Sequence, residues 1–388
     1  MSSTQKHAIV FGASGISGWR VVKELLQYPT PTTFGSVTGV TNRPLTVEGA
    51  GLPGDARIRL ASGVDLTASP DSVIKTLQER VPTIEEITHA YIYVYSQSPK
   101  EGQTVADINA QLVDSAVLAL KALSPRLEHV ILQTGGKMYG VEHFPKVPIP
   151  PTPWKESFPR IQDPSITSQI YNYRQLDILA AHARGASWKW TEVRPDAIIG
   201  FAPTSNAMNI ALPLGVLLAL WRAVYGSGAT IPFPGPKAAY ERTHTDTPMG
   251  PAARFHIFAS LRGAETHEQT YNIGAAPSSY AQKWPLFAAQ FGLVGAPPAR
   301  DEGIDVAAWV SAHRAAWGDL EKEYGLQAGV IEKVGWDFLI LLTIPFDREY
   351  DISKARELGF QEEMDLMAAY REAWELMAVS KLLPPAWR

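Results

Sequence analysis

The run His7-Ala-Ile-Val-Phe11 leads directly into Gly12-Ala-Ser-Gly15-Ile-Ser-Gly18, and from Trp19 to Leu26 apolar residues recur at helical spacing. A compact apolar strand, a turn with three glycines and an amphipathic helix belong together in a strand buried on both faces that crosses over through a helix. Glycines at Gly12, Gly15 and Gly18 let the backbone approach a pyrophosphate, and the helix N-terminus supplies donors and a positive dipole. A dinucleotide site is the sharper reading of this turn; a tight turn with no ligand is the plainer one.

The alternation continues. Ser36–Val40, Arg57–Leu60, Ile87–Tyr95, Val130–Leu132 and Trp188–Arg194 read as strands. Ser72–Arg80, Val105–Leu123 and a stretch from about Ile166 to Arg184 read as helices, and Pro145–Pro159 as a proline-rich connection. Strands alternating with helices predict an α/β, doubly wound parallel sheet. The expected division is a nucleotide-binding domain over 1–200 and a mixed α/β substrate-binding and lid region over 201–388, interwoven with the first. Beyond Arg194 the alternation weakens. Ile210–Leu220 and Phe338–Phe346 are apolar but shorter than the ~20 residues needed to span a bilayer, so both are expected as buried helices or pocket walls. Glu302–Tyr324 and Arg356–Val379 have the amphipathic spacing of packing helices.

The second strand ends at Thr41-Asn42-Arg43, with no carboxylate before Glu48. An NAD site places Asp or Glu there for the ribose hydroxyls, whereas arginine accommodates a 2′-phosphate. NADPH is therefore the expected cofactor, with Arg43 facing the phosphate; a solvated loop arginine is the alternative. A net charge of -4 gives no reason to expect nucleic acid or an anionic membrane as partner. With no cysteine, disulfides and thiolate chemistry are excluded. The short polar stretch Met1–Lys6 before the first strand points to an intracellular, cytoplasmic protein.

Glu128-His-Val-Ile-Leu-Gln-Thr-Gly-Gly-Lys-Met-Tyr-Gly140 is a strand opening into a loop. Ligands in open α/β sheets sit outside the carboxyl ends of strands, so Lys137 is either aimed at a ligand crevice or a solvated loop residue. Further on, the helix reads Tyr171-Asn-Tyr173-Arg-Gln-Leu-Asp177. Short-chain dehydrogenases carry Tyr-x-x-x-Lys on this helix, where the lysine lowers the phenol pKa for proton donation. Here the residue four after Tyr173 is Asp177, and the usual lysine is missing.

These segments together resemble the progesterone 5β-reductase and iridoid synthase-like enzymes, an atypical branch of the short-chain dehydrogenases. The likeness also covers Gly39-Val-Thr-Asn-Arg43, Thr88–Ser96, Arg194–Phe201, Phe233–Lys237 and Gln290–Leu293. Leu-Gln-Thr-Gly-x-Lys paired with Tyr-x-x-x-Asp is the specific part. The resemblance implies a Rossmann-type fold in which the lysine comes from the loop after the fifth strand. Lys137 and Tyr173 are then the catalytic pair of an NADPH-dependent hydride transfer to the β-carbon of an α,β-unsaturated carbonyl. Charge arriving on the carbonyl oxygen as an enolate is stabilised by a phenol near a fixed ammonium. Gly135 stands where an ordinary ketone-reducing site has serine or threonine. The resemblance further implies Ser14, Gly15 and Ile16 along the pyrophosphate, Asn42 and Arg43 near the 2′-phosphate, and Asp65 and Leu66 near the adenine. Val94, Tyr95, Gln133, Tyr173, Pro195 and Ile198 line the nicotinamide end. The family commonly has Thr-Trp at Val94-Tyr95 and Tyr at Asn172, so the substrate pocket is altered.

Several residues keep two readings. Tyr173 is either the proton donor or a helix tyrosine packed on the sheet, with Tyr171 as donor. Tyr95, Tyr139, Met208 and Phe338 are pocket candidates; Tyr139 is equally read as a structural tyrosine, and core packing is the better reading of Met208 and Phe338. His244 and Asp246 lack a third ligand nearby, so no metal is expected. The expected substrate is a small hydrophobic enone or enal, and a homodimer is compatible with this reading. The rival readings are a ketone reductase, an epimerase or cyclase using bound NADP(H), and a non-enzymatic NADP sensor.

Overall fold

The computed structural model describes residues 5–204, 206 and 208–385. The chain divides into two compact units: 1–196 with 250–273 and 351–362, and 197–249 with 274–350 and 363–388. The second unit is thus interleaved with the first along the sequence, with its first boundary at 196/197.

In the first unit the apolar runs pair as a seven-stranded sheet. Its strands are β1 (Lys6–Phe11), β2 (Phe34–Thr41), β3 (Ile58–Ser62), β4 (His89–Ile92), β5 (His129–Gln133), β6 (Lys189–Pro195) and β7 (Gln269–Ile273). Their spatial order is β7-β6-β5-β4-β1-β2-β3 and every pairing is parallel. This is the expected doubly wound α/β sheet. Phe11 is level with both Val40 and Ile92, and Ile92 with Leu132, so the carboxyl ends of these strands form one edge. The order reverses between β1 and β4, the switch point at which such sheets open a ligand crevice.

Helices α1 (Ile16–Glu24), α2 (Pro70–Arg80), α3 (Val105–Leu123) and α4 (Tyr171–Ala183) flank this sheet. Thr104 and Asp107 form a reciprocal capping box at the start of α3, a device worth about 1 kcal/mol. Asp107 also pairs with Arg174 of α4 at 2.6 Å, and Gln175 donates to the Asn109 carbonyl at 3.0 Å, so α3 fixes the rotation of α4.

Three expected helices are interrupted. The stretch from 166 to 184 is a short turn, Pro164–Thr167, followed by α4. Ile170 has ψ 86°, and Thr167 donates its hydroxyl to the Ile161 carbonyl at 2.7 Å, tying the short turn back to the preceding connection. The stretch from 302 to 324 is divided at His313, whose ring bonds the Trp309 carbonyl at 2.8 Å. In the last, Ser353–Glu357 and Leu366–Val379 are separated by Gly359, whose φ of +102° lies outside helical space.

The second unit is built around the helix Ala211–Tyr225, on which Leu212, Leu214 and Val216–Leu220 are buried. Gly215 lets Leu383 and Trp374 lie against this helix, and Trp374 donates to the Ala211 carbonyl at 2.8 Å. Phe338 sits in the 3-10 helix Trp336–Thr343, so this apolar run is a tight-turn segment. His244 and Asp246 share the buried Lys283 ammonium, at 2.5 and 2.6 Å. Burial, with Lys283 and Arg348 nearby, holds His244 far below its usual pKa, so the imidazole is neutral and accepts from the lysine. Among the described residues no helix is long and apolar enough to cross a membrane.

Candidate active site

The glycine turn opens the crevice on the first unit. Gly12 has φ +83°, and a Cβ there would lie 2.6 Å from the Tyr93 carbonyl oxygen, so only glycine fits. A Cβ on Gly18 would overlap the Gly12 carbonyl, which lets α1 lie against the turn. Gly15 donates to Gly12 at 3.0 Å and caps α1, with no side-chain cap and no acidic residue in the first turn. The first N–H groups of α1 are thereby left to an anion.

Around the same edge, the residues expected near a dinucleotide follow one strand end after another. Asn42 and Arg43 leave β2 with exposed side chains, while Thr41 donates to the Arg43 carbonyl at 2.8 Å and Leu45 to Ser62 Oγ at 3.1 Å, holding the turn. Among the described residues Arg43 has no carboxylate partner. Asp65 is exposed and accepts from Thr67 at 2.9 and 2.7 Å, and Leu66 beside it is buried. Val94 and Tyr95 follow β4, Gln133 ends β5 and Pro195 ends β6. Gln133 Oε1 is buried with no hydrogen-bond partner, an acceptor left for something that approaches this edge. The glycine cradle, the open helix end and this orphaned acceptor fit a dinucleotide. Ile198 and Met208 belong to the second unit, in the strand Ala197–Ile199 and just before Ala211–Tyr225, as does Phe338.

Beyond Gln133, Thr134 donates to the buried Glu192 at 2.5 Å, and Gly135 runs extended with its Cβ position 3.2 Å from the Pro195 carbonyl oxygen. Gly136–Tyr139 is a 3-10 turn closed by Gly140 at φ +78°. Lys137 projects from this turn. Its ammonium pairs with Glu142 at 2.5 Å and lies 5.2 Å from the Tyr171 ring centroid and 5.7 Å from that of Tyr95. The two rings are themselves 5.6 Å apart, so the cation rests in an aromatic corner.

Tyr173 is hydrogen-bonded to backbone on both sides. Its hydroxyl donates to the Met138 carbonyl at 2.8 Å and accepts from the Ile161 N–H at 3.1 Å, and the side chain is 2% exposed among Met138, Ile166 and Ile170. Helix residues two apart point to different sides, and it is the ring of Tyr171 that meets the Lys137 ammonium. Among the described residues the Tyr171 hydroxyl has no hydrogen-bond partner. Burial, reinforced by Tyr95 and Glu142, holds the Tyr171 phenol well above its usual pKa, so it is a neutral donor near pH 7. Burial also raises Tyr173, against the opposing effects of the Ile161 N–H, Arg160 and Arg194.

Tyr139 is built into the packing rather than presented to a ligand. Its hydroxyl donates to Asn272 at 2.7 Å, its ring lies 5.1 Å from Trp154, and burial pushes its pKa up to about 12. Sequence reasoning passed over Glu142, Arg160 and the Glu192–Arg194 pair. The last had a signal, since alternate residues on an apolar strand share a face, and the two are bonded at 2.9 Å. Glu142 and Arg160 lie in irregular segments with no period to read. Among the described residues no group of three or more His, Asp or Glu could hold a metal.

Residues 8–384 match the family model of the PRISE-like Rossmann-fold domain. The chain is 35% identical to short chain dehydrogenase ausT of Aspergillus calidoustus over 395 residues, covering 99% of this chain and 96% of that protein. It is 26% identical to the 3-oxo-Delta(4,5)-steroid 5-beta-reductase of Arabidopsis thaliana over 368 residues, 92% of this chain and 88% of the relative. Among solved structures, UDP-glucuronic acid 4-epimerase from Bacillus cereus in complex with NAD shares the fold with a TM-score of 0.56 at 15% identity, over 95% of this chain and 96% of that one.

Proposed function

The chain belongs to the PRISE-like Rossmann-fold family and is an oxidoreductase of the short-chain dehydrogenase/reductase superfamily, and from that premise we propose that it reduces the activated C=C bond of a small hydrophobic enone or enal with NADPH, in the cytoplasm. The observation that carries this reading is the lysine. It is delivered by the turn after β5 against Tyr171 and Tyr95, while Asp177 stands at the helix position of the ordinary lysine and Gly135 at that of the ordinary hydroxyl.

When bound, NADPH would supply the hydride; the Gly12–Gly18 turn and the N-terminus of α1 would hold its pyrophosphate, Arg43 and Asn42 its 2′-phosphate, and Gln133 and Pro195 would line the nicotinamide end. Hydride added to the β-carbon moves the π electrons onto the carbonyl oxygen, and the enolate is then protonated at its α-carbon from solvent. Tyr171 donates a hydrogen bond to that oxygen as it gains charge. Lys137 holds a positive charge beside it that does not have to reorganise during the reaction. Tyr173 fixes the turn that carries Lys137. The steroid reductase relative is named for a substrate with a carbonyl conjugated to a double bond, which supports the same chemistry here.

The test is NADPH and NADH oxidation against a panel of enones, enals and saturated ketones, with products identified by mass. A saturated carbonyl product supports the proposal. An alcohol product replaces it with ketone reduction, and cofactor binding without turnover of any compound replaces it with a sensing role.

A further inference from the structure

Asp177 is part of the most specific motif in the sequence, yet the reaction above gives it no task. Its carboxylate accepts both terminal nitrogens of Arg160, at 2.8 and 2.9 Å, a planar two-point pairing. The guanidinium carbon lies 4.9 Å from the Tyr173 ring centroid. The next residue, Ile161, donates its N–H to the Tyr173 oxygen at 3.1 Å, and its carbonyl is held by Thr167 at 2.7 Å. Tyr173 in turn donates to the Met138 carbonyl, one residue beyond Lys137. Gly140, at the end of that turn, gives up its Cβ space to the Ile161 side chain. One continuous set of contacts therefore runs from Asp177 to the backbone that carries Lys137.

Arg160 and Asp177 have side chains 38% and 63% exposed, so their pairing adds little to stability. What a two-point pair gives is direction: it fixes the plane of the guanidinium, and with it residues 160 and 161 over Tyr173. An aspartate one helical turn after Tyr173 thus returns a positive charge to the tyrosine from the preceding connection, where a lysine would have supplied it from the helix.

We infer that Arg160, held by Asp177, is a positioning residue that sets the lysine-bearing turn through Tyr173; its effect on turnover rests on the reaction proposed above. The turn and the turnover are measured separately, on the full chain with NADPH bound. Arg160→Gln and Asp177→Asn are expected to speed amide hydrogen exchange in residues 134–142 about threefold to fivefold, the range an exposed ion pair supports. Exchange in residues 7–11 and 89–92 is expected to stay as in the wild type, and Asp177→Glu to return the turn to about the wild-type rate, within roughly 1.5-fold. With the best enone from the panel, kcat is expected to fall about tenfold or more while the KM for NADPH is unchanged. Unchanged exchange over 134–142 overturns the inference whatever the activity, as does an equal rise over 7–11, which marks general loosening. Faster exchange with kcat intact overturns the positioning role in the reaction. Faster exchange in a protein whose wild type reduces no enone leaves the role on the turn standing and removes the proposed reaction instead.

Discussion

Replacing Tyr173 and Tyr171 separately with phenylalanine distinguishes a phenol that holds structure from one that serves chemistry. Tyr173→Phe removes a donor 2.8 Å from the Met138 carbonyl and an acceptor 3.1 Å from the Ile161 N–H, at a side chain 2% exposed. Each buried group left unpaired costs about 1–3 kcal/mol, so the variant, which strands two, is expected to lose roughly 2–6 kcal/mol. For a unit of this size, about 2–4 °C per kcal/mol puts the fall in Tm at roughly 4–24 °C. Tyr171→Phe strands no hydrogen-bonded partner among the described residues and is expected to change stability by less than about 0.5 kcal/mol. Turnover should reverse this order. Losing one preorganised donor to a developing oxyanion costs about 10²–10³ in kcat, which is the effect expected of Tyr171→Phe. Tyr173→Phe should cost about tenfold through the loosened turn. Calorimetric melting with NADPH oxidation on the same preparations measures both. A Tyr173→Phe variant that melts like the wild type but loses turnover about a thousandfold, beside an active Tyr171→Phe, would refute the reasoning.

Three other outcomes are expected. His89, His129 and His256 are held near a pKa of about 3, chiefly by burial, against an ordinary 6.5. The unfolded chain therefore binds more protons below pH 6.5, and stability should be full above that value and fall as pH drops toward 3, by about 1.4 kcal/mol per pH unit for each histidine; denaturant melts at pH 7.5, 6 and 5 check the sign. Arg43→Ala should raise the KM for NADPH about 10–100-fold and leave that for NADH unchanged, as loss of a charge-assisted contact to the 2′-phosphate requires; steady-state kinetics with the two cofactors measures it. Gly135→Ser places a hydroxyl at the strand end in an extended backbone that any residue adopts, with its Cβ about 3.2 Å from the Pro195 carbonyl oxygen, and should raise the fraction of alcohol over saturated carbonyl, read by mass spectrometry.

Much of the fold is legible in the sequence. The apolar run into Gly12, Gly15 and Gly18 marked the first strand and its crossover, because a strand buried on both faces has no polar alternation and a turn at φ +83° admits glycine. The missing helix lysine and the lysine after β5 were equally plain, as both depend on spacing within one element. The helix breaks at Ile170 and His313 were not legible. They come from bonds to the Ile161 and Trp309 carbonyls, and apolar spacing carries no trace of such bonds.

The sequence by itself determined the α/β alternation and the glycine turn after the first strand, since each follows from local pattern and the rule that such strands run parallel. Only the tertiary structure decided which tyrosine meets Lys137. Tyr171 and Tyr173 are two residues apart on one helix, and their facing depends on where α4 begins and how α3 sets its rotation. Those are long-range contacts. In the fold they turn one phenol toward the lysine and the other toward the backbone that carries it.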